Sequence, residues 1–298
     1  MNGQTAIVTG TSAGIGAEVA RLLLKNGWTV MGLDKDSPGR GIHPSGPYYH
    51  FIADITDDDS VRRACAQIRQ KRNEEAQAFA APSHAILAAG GALHEEVCDE
   101  DPIDLDLDIF RRSVDVNLCG QYICIKHFVP LLLEKTEMPE LEYAAIADRS
   151  ITMVSSINSV GDFGYPAYAS AKAGLAGLAK SLAVPLGRRG IRINVVAFGT
   201  VRTHFAEGLH ASDSSHFSRL EKLAALERIS TRAEAAQVLL SMTQLSSVTG
   251  TIITADCGQA VPGNHYYSLD RSDLHRPDMQ TPATSTEPDT QGTLASTR

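Results

Sequence analysis

Tyr168 and Lys172 stand four residues apart in Tyr168-Ala169-Ser170-Ala171-Lys172. On a helix that spacing puts a phenol and an ammonium on one face, pointing into the same space. A free tyrosine titrates near pH 10, and bringing that to about 7 takes roughly 4 kcal/mol of differential stabilisation of the phenolate. A nearby cation in a dry cleft stabilises the phenolate, and the pair could then exchange a proton at neutral pH. The same spacing also occurs in ordinary surface pairs. Ser155 and Ser156, 13 and 12 residues earlier, offer hydroxyls that could polarise a carbonyl or hold an alcohol oxygen, or could simply be a small polar strand end. Asn117, in Val114-Asp115-Val116-Asn117-Leu118, falls in an otherwise apolar helical stretch. A buried amide there must find partners, for structure or for catalysis.

A second group of residues could hold a phosphate. Thr9-Gly10-Thr11-Ser12-Ala13-Gly14-Ile15-Gly16 lies between an apolar strand and an amphipathic helix. Gly10, Gly14 and Gly16 allow a tight turn, and the free N–H groups around Ser12, Gly14 and Ile15 at the helix start would face a pyrophosphate. The spacing is G-x-x-x-G-x-G, and such turns also occur without a ligand. Asp34 ends the second strand 18 residues after Gly16, close to where a dinucleotide site places the carboxylate that binds the adenosine ribose. A solvated Asp in a turn is the alternative.

These residues need a scaffold, and short β-branched runs alternating with helical stretches give one: a parallel sheet covered by helices on both faces. Strands are predicted at Thr5–Thr9, Thr29–Asp34, Tyr49–Ala53, His84–Ala88, Ile151–Ser155, Arg192–Ala197 and Thr251–Ala255. Helices are predicted at Ile15–Asn26, Ser60–Arg72, Asn117–Phe128 and Tyr165–Leu186. Another, from about Arg232 to Leu245, follows the capping-box spacing Thr231-Arg232-Ala233-Glu234. The fold class expected is α/β, a Rossmann-like, doubly wound, seven-stranded parallel sheet in a single domain over residues 1–261. The Pro-, Ser-, Thr- and Asp-rich stretch 262–298 reads as a tail, disordered or docked on the body or a neighbouring subunit.

A net charge of −8 argues against general binding to nucleic acid or an anionic membrane. Small molecules and further copies of the chain are the expected partners. The five cysteines, Cys65, Cys98, Cys119, Cys124 and Cys257, form no CxxC pair and no zinc-type cluster. They read as reduced, mostly core thiols. His204, His210 and His216 read as scattered surface histidines, and no metal is expected. With no basic leader before the first strand and no apolar run of about 18 residues, cytoplasmic residence is the expectation.

Taken together, the glycine turn, Asp34, Asn117, the serine pair and Tyr168/Lys172 resemble the compact single-domain branch of the short-chain dehydrogenase/reductase family over about Thr5 to Val261. The resemblance implies a nicotinamide-dependent oxidoreductase that interconverts a secondary alcohol and a ketone. It implies Tyr168 as acid/base, Lys172 binding the nicotinamide ribose and lowering the tyrosine pKa, a serine at 155/156 orienting substrate, and Asn117 holding a water in a proton relay. Asp54 would lie near the adenine, Ala89 and Gly90 beside the cofactor, Val201 and Thr203 near the carboxamide, and a lid would span Thr203 to Leu226. A homotetramer or homodimer is also implied.

Asp34, with no basic residue at Ser12 or Ala13, points to NAD over NADP, because a carboxylate repels a 2′-phosphate and the competing Lys35 would have to overcome both Asp34 and Asp36. Two departures stand out: the family's N-N-A-G reads Leu87-Ala88-Ala89-Gly90, and its P-G reads Phe198-Gly199. The first removes side-chain amides from the cofactor cleft and leaves backbone contacts to serve. For the serine, spacing favours Ser155 and strand register favours Ser156, which is preferred. Carbonyl reduction as the physiological direction and a dinucleotide-binding regulator without turnover are the alternatives.

Overall fold

The computed structural model describes residues 3–38, 46–75, 79–96, 101–134, 149–160, 164–203, 206–207 and 215–261. Its strands are β1 (Thr5–Thr9), β2 (Thr29–Asp34), β3 (Tyr48–Ile52), β4 (His84–Leu87), β5 (Arg149–Ser156), β6 (Ile191–Phe198) and β7 (Ile252–Ala255). All pair in parallel in one sheet ordered β3-β2-β1-β4-β5-β6-β7. Every residue of β1, β4 and β6 is buried, as expected for inner strands of a parallel sheet covered on both faces. The expected doubly wound α/β fold is what the chain adopts.

The helices are α1 (Gly14–Lys25), α2 (Asp58–Glu74), α3 (Leu107–Val114), α4 (Gly120–Leu132), α5 (Pro166–Gly187), α6 (His216–Leu223) and α7 (Arg232–Gln244). One core layer joins the sheet to α2, α4 and α5 through residues such as Ile68, Phe128 and Leu175. The other joins it to α1 and α7 through Val19, Leu23 and Leu239. Strand order reverses at β1, which has β2 on one side and β4 on the other. Ligands of open α/β sheets settle at the carboxyl ends of the strands at such a reversal.

Differences from the sequence reading have local causes. Helix α2 starts two residues early because the Asp57 side chain accepts the Asp59 N–H at 2.9 Å. The helix expected from Asn117 is the second half of a longer one: α3, capped by Asp106 on the Asp108 N–H, runs through a π-turn at Asp115–Cys119 into α4. The capping box at Thr231 and Glu234 forms as its spacing suggested. Cys65 and Cys124 are buried, but Cys119 is exposed and Cys257 only partly covered, so "mostly core" overstates the cysteines. Cys98, His204, His210 and the tail 262–298 lie outside the described residues.

Candidate active site

The glycine turn leaves β1 with Gly10 at φ +75°, and a Cβ there would sit 2.9 Å from the Ala89 backbone. Gly16 has the tighter requirement: its Cβ would fall 2.1 Å from the Gly10 carbonyl oxygen, so only glycine lets α1 start this close to the turn. Ala13 gives α1 no side-chain cap, and the first turn holds no acidic residue. The N–H groups of Gly14, Ile15 and Gly16 therefore face outward with the positive end of the helix dipole.

Asp34 stands beside this turn. Its Oδ2 accepts the Ser12 N–H at 2.9 Å and its Oδ1 the Asp36 N–H at 3.0 Å. Ser12 Oγ and His50 Nε2 both approach the Asp36 carbonyl, at 3.0 and 2.9 Å. His50 Nδ1 lies 2.8 Å from the Tyr48 hydroxyl, which donates to Thr11 Oγ1 at 3.0 Å. A closed ring of side chains thus fixes the loop that aims Asp34. Asp54, also at a strand's carboxyl end, folds back onto Thr56, accepting from its N–H at 2.9 Å and its hydroxyl at 2.7 Å.

Across the cleft, Gly90 sits at φ +129°, where a Cβ would be 2.7 Å from Asn117 Oδ1 and 3.4 Å from Lys172 Nζ. Asn117 is buried in the π-turn. Its Oδ1 accepts the Gly91 N–H at 3.0 Å, and its Nδ2 donates to Gly91 O at 2.9 Å and Ser113 O at 3.0 Å. Both amide hydrogens are used, so a water held here would have to donate to a carbonyl. Gln121, one turn further on, was not singled out in the sequence. Its Nε2 donates to Ala89 O at 2.7 Å, while its buried Oε1 has no partner among the described residues. A glutamine four residues after Asn117 in an apolar helix was the available signal.

Tyr168 and Lys172 share the face of α5 that meets the end of β5. The Ser156 hydroxyl lies beside the phenol, accepting the Asn158 N–H at 3.2 Å and donating to Asn158 Oδ1 at 3.1 Å. Ser155 turns the other way, donating to the Lys172 carbonyl at 3.1 Å. Lys172, 3% exposed, points Nζ at the Val154 carbonyl at 3.0 Å and lies 5.5 Å from the centre of the phenol ring. Burial pushes the phenol up to about 12, against the bond from Ser156 and with help from the Glu96 carboxylate. Burial also pulls the Lys172 ammonium down to about 8. Desolvation, not the lysine charge, dominates this phenol. In the chain without its dinucleotide, the Lys172 ammonium donates to the Val154 carbonyl.

Val201 is buried and bridges to Ser230. Thr203 Cγ2 lies 3.9 Å from where a Cβ on Gly14 would be, so the loop after β6 closes over the glycine turn. Within the lid stretch, α6 is tied back by Arg202, which pairs with Glu221 at 3.2 Å and covers the Phe217 ring at 4.7 Å. His216, at the start of α6, is half-buried. Among the described residues no three His, Cys, Asp or Glu side chains are grouped to hold a metal, and no helix is long and apolar enough to cross a membrane.

A family model described as enoyl-(acyl carrier protein) reductase matches residues 10–260. Cis-4-hydroxycyclohexanecarboxylate dehydrogenase of Sinomonas cyclohexanicum is 32% identical over 86% of this chain and 96% of its own length. The chain belongs to the short-chain dehydrogenase/reductase family. The 2,5-dichloro-2,5-cyclohexadiene-1,4-diol dehydrogenase of Sphingobium indicum is 29% identical over 87% of this chain and 97% of its own. A solved oxidoreductase of the family from Burkholderia thailandensis superposes with a TM-score of 0.71 at 26% identity, covering 92% of this chain and 96% of that one.

Short-chain dehydrogenases bind a nicotinamide dinucleotide, NAD or NADP, and the residues present fit such a group. Gly10 and Gly16 let the turn and α1 pack tightly, the space beside Gly14 is open to 3.9 Å, the helix start is uncapped, and the buried Gln121 Oε1 is unmatched among the described residues. The missing asparagine amides of this short-chain dehydrogenase are replaced from elsewhere. Thr9 Oγ1 accepts the Ala89 N–H at 3.1 Å and Gln121 takes the Ala89 carbonyl, so the segment is held from both sides. At the other departure, Gln259 Oε1 accepts the Thr200 N–H at 2.7 Å and would lie 2.4 Å from a Cβ on Gly199. The glycine survives there because Gln259 needs the space.

Proposed function

We propose that this chain is an NAD-dependent dehydrogenase that interconverts a secondary alcohol and a ketone. The observation that carries the reading is the buried Lys172 ammonium 5.5 Å from the centre of the Tyr168 ring on the same helix face. When bound, the dinucleotide supplies the hydride acceptor and, oxidised, a positive ring. Asp34 would accept the adenosine ribose hydroxyls, Asp54 would flank the adenine, the N–H groups of Gly14 to Gly16 would face the pyrophosphate, and Ala89, Gly90, Val201 and Thr203 would line the nicotinamide half. Lys172 would hold the nicotinamide ribose.

Ser156 then orients the substrate oxygen, and Tyr168 takes the alcohol proton in oxidation or returns it in reduction. Of the two serines, Ser156 is the one assigned this role, because it lies on the side of β5 that faces the phenol while Ser155 is buried against the Lys172 carbonyl. Asn117 holds the Gly91 backbone and the π-turn beside the path by which the proton leaves. NAD is favoured over NADP because Asp34 would meet the 2′-phosphate with like charge. Among substrates, a six-membered ring alcohol is the first class to try, since two of the relatives are named for oxidising such rings. A homo-oligomer is part of the proposal, supported by Tyr122 on α4 and Val184 on α5, which are 51% and 61% exposed.

The deciding experiment is a panel of secondary alcohols, cyclic diols, sugars and hydroxysteroids offered with NAD and with NADP, read as absorbance of the reduced nicotinamide. Turnover of a ring alcohol with NAD is expected. Tight dinucleotide binding with no turnover in either direction would make the chain a binding protein instead.

A further inference from the structure

Two neighbouring glutamates after β4 have opposite surroundings. Glu95 lies on the surface, half exposed, and pairs with Arg112 at 2.6 Å. Glu96 is 4% exposed, and the bonds found for its carboxylate are to backbone. Its Oε1 accepts the Leu93 N–H at 3.1 Å and its Oε2 the Tyr168 N–H at 2.9 Å. A buried carboxylate is costly unless such bonds compensate it, so its retention here calls for a role.

Helix α5 lacks what Glu96 provides. Its N-cap residue Tyr165 makes no side-chain cap, and its first turn contains no acidic residue. The helix that carries Tyr168 and Lys172 therefore begins with its dipole and its early N–H groups unanswered from its own sequence. Glu96 answers both from a different element, across 72 residues of sequence. The same loop carries Gly90, and Gly91, which Asn117 clasps through its N–H and its carbonyl. One carboxylate thus ties the nicotinamide wall of the cleft to the turn that bears the phenol.

We propose that Glu96 is a positioning residue for Tyr168: its buried carboxylate caps α5 from the loop after β4, fixing the phenol in the cleft and setting the charge around it. This rests on the reading of Tyr168 as acid/base. The groups facing the phenol are Ser156 from β5, Lys172 on α5 itself and Glu96 from the loop. The packed α3 and π-turn add Ser113 and Asn117, both buried and uncharged, while Arg112 is engaged with Glu95 at the surface. Glu96 is the negative charge among them. It opposes the phenolate, in line with the upward push on Tyr168.

The test uses Glu96→Gln and Glu96→Asp in the full chain, with kcat for alcohol oxidation followed against pH. Removing the charge favours the phenolate, so E96Q should move the acid limb of the kcat profile to lower pH by about 0.5 unit. E96D keeps the charge and should leave the limb within about 0.2 unit of wild type, at a reduced kcat caused by the shortened cap. A limb unmoved in E96Q, or moved as far in E96D, would overturn the charge role. If E96Q does not fold, E96A takes its place with the same expected displacement.

Hydrogen exchange at the Tyr168 amide gives a readout free of turnover: E96A should exchange there at least about 10-fold faster than wild type. Equal protection would overturn the cap. If the wild type oxidises no alcohol at all, the proposed dehydrogenase function fails, and the exchange measurement alone still decides whether Glu96 holds α5.

Discussion

The two ends of the cleft are held in opposite ways. At the end proposed for the adenosine, Asp34 is only partly covered and takes its hydrogen bonds from Ser12 and Asp36 in the adjoining turn and loop. At the nicotinamide end, Tyr168 meets groups from β5, the β4 loop and its own helix, and their charges are dominated by burial. A half-covered carboxylate such as Asp34 keeps its charge beside the solvent-facing turn, where it can attract or repel a ligand's own charge. At the second end the charged groups Lys172 and Glu96 are buried beside the half-buried Tyr168, and such charges set a proton affinity because they have lost water. Substitutions at the first end should therefore change which dinucleotide binds, and substitutions at the second should change how fast anything reacts.

The sharpest break of that comparison is Tyr168→Phe. Only the reaction needs the phenolic oxygen, so kcat should fall at least about 100-fold, a cost of about 2.7 kcal/mol or more. Dinucleotide affinity, measured by fluorescence of the bound reduced form, should stay within about threefold, because the ring and its packing remain. A variant that kept more than about a tenth of kcat would move the acid/base role elsewhere.

Asp34→Ser probes the other end and should act on selectivity. Wild type is expected to prefer NAD over NADP by about 10-fold in kcat/KM, or about 1.4 kcal/mol. The serine removes the repelling charge, so the ratio should shrink toward one, mostly through KM. Since Ser12 N–H and Asp36 N–H both lose their acceptor, NAD affinity should fall as well. A ratio unchanged by the substitution would mean that Asp34 serves the loop and not the ribose.

The same contrast explains what could be read from the sequence. The adenosine end is written locally: a glycine turn followed at a fixed distance by Asp34 at a strand end, and the fold delivers both to the β1 reversal. Tyr168 and Lys172 were also legible, because helical spacing alone puts them on one face. Ser155 and Ser156 were ambiguous by one residue, and alternation along the strand supports the proposed role of Ser156, since Ser155 faces the Lys172 carbonyl and Ser156 the phenol's side.

What could not be read was contact between distant segments. Glu96 looks like half of a charged Glu95-Glu96 pair, Gln121 like an amphipathic interruption, and Gln259 like a strand-end polar residue. Their roles appear only when Ala89, Tyr168 and Thr200 are brought beside them. The replaced N-N-A-G segment shows the same limit, since its substitutes Thr9 and Gln121 lie 80 and 32 residues away from Ala89.

The smallest expected effect comes from the same chemical change made at the adenosine end, Tyr48→Phe. Tyr48 is linked to Thr11 Oγ1 and His50 Nδ1, and burial, with the charge of Asp34 behind it, raises its pKa and keeps it a protonated donor. Thr11 is fully buried inside the glycine turn, so losing the phenol leaves its hydroxyl short of a partner at a cost of about 1–3 kcal/mol. For a domain of this size each kcal/mol lowers Tm by about 2–4 °C, which calorimetry resolves. His50 would keep its contact to the Asp36 carbonyl, so the loop should loosen without collapsing. Dinucleotide affinity should weaken by about threefold, or ~0.6 kcal/mol, while kcat at saturation stays within about twofold because no group near Tyr168 moves. Removing one hydroxyl would then cost turnover at residue 168 and only stability and affinity at residue 48. If Tyr48→Phe instead lowered kcat as severely as Tyr168→Phe, the ring around Asp36 would be coupled to the reacting end, and the separation between the two ends would fail.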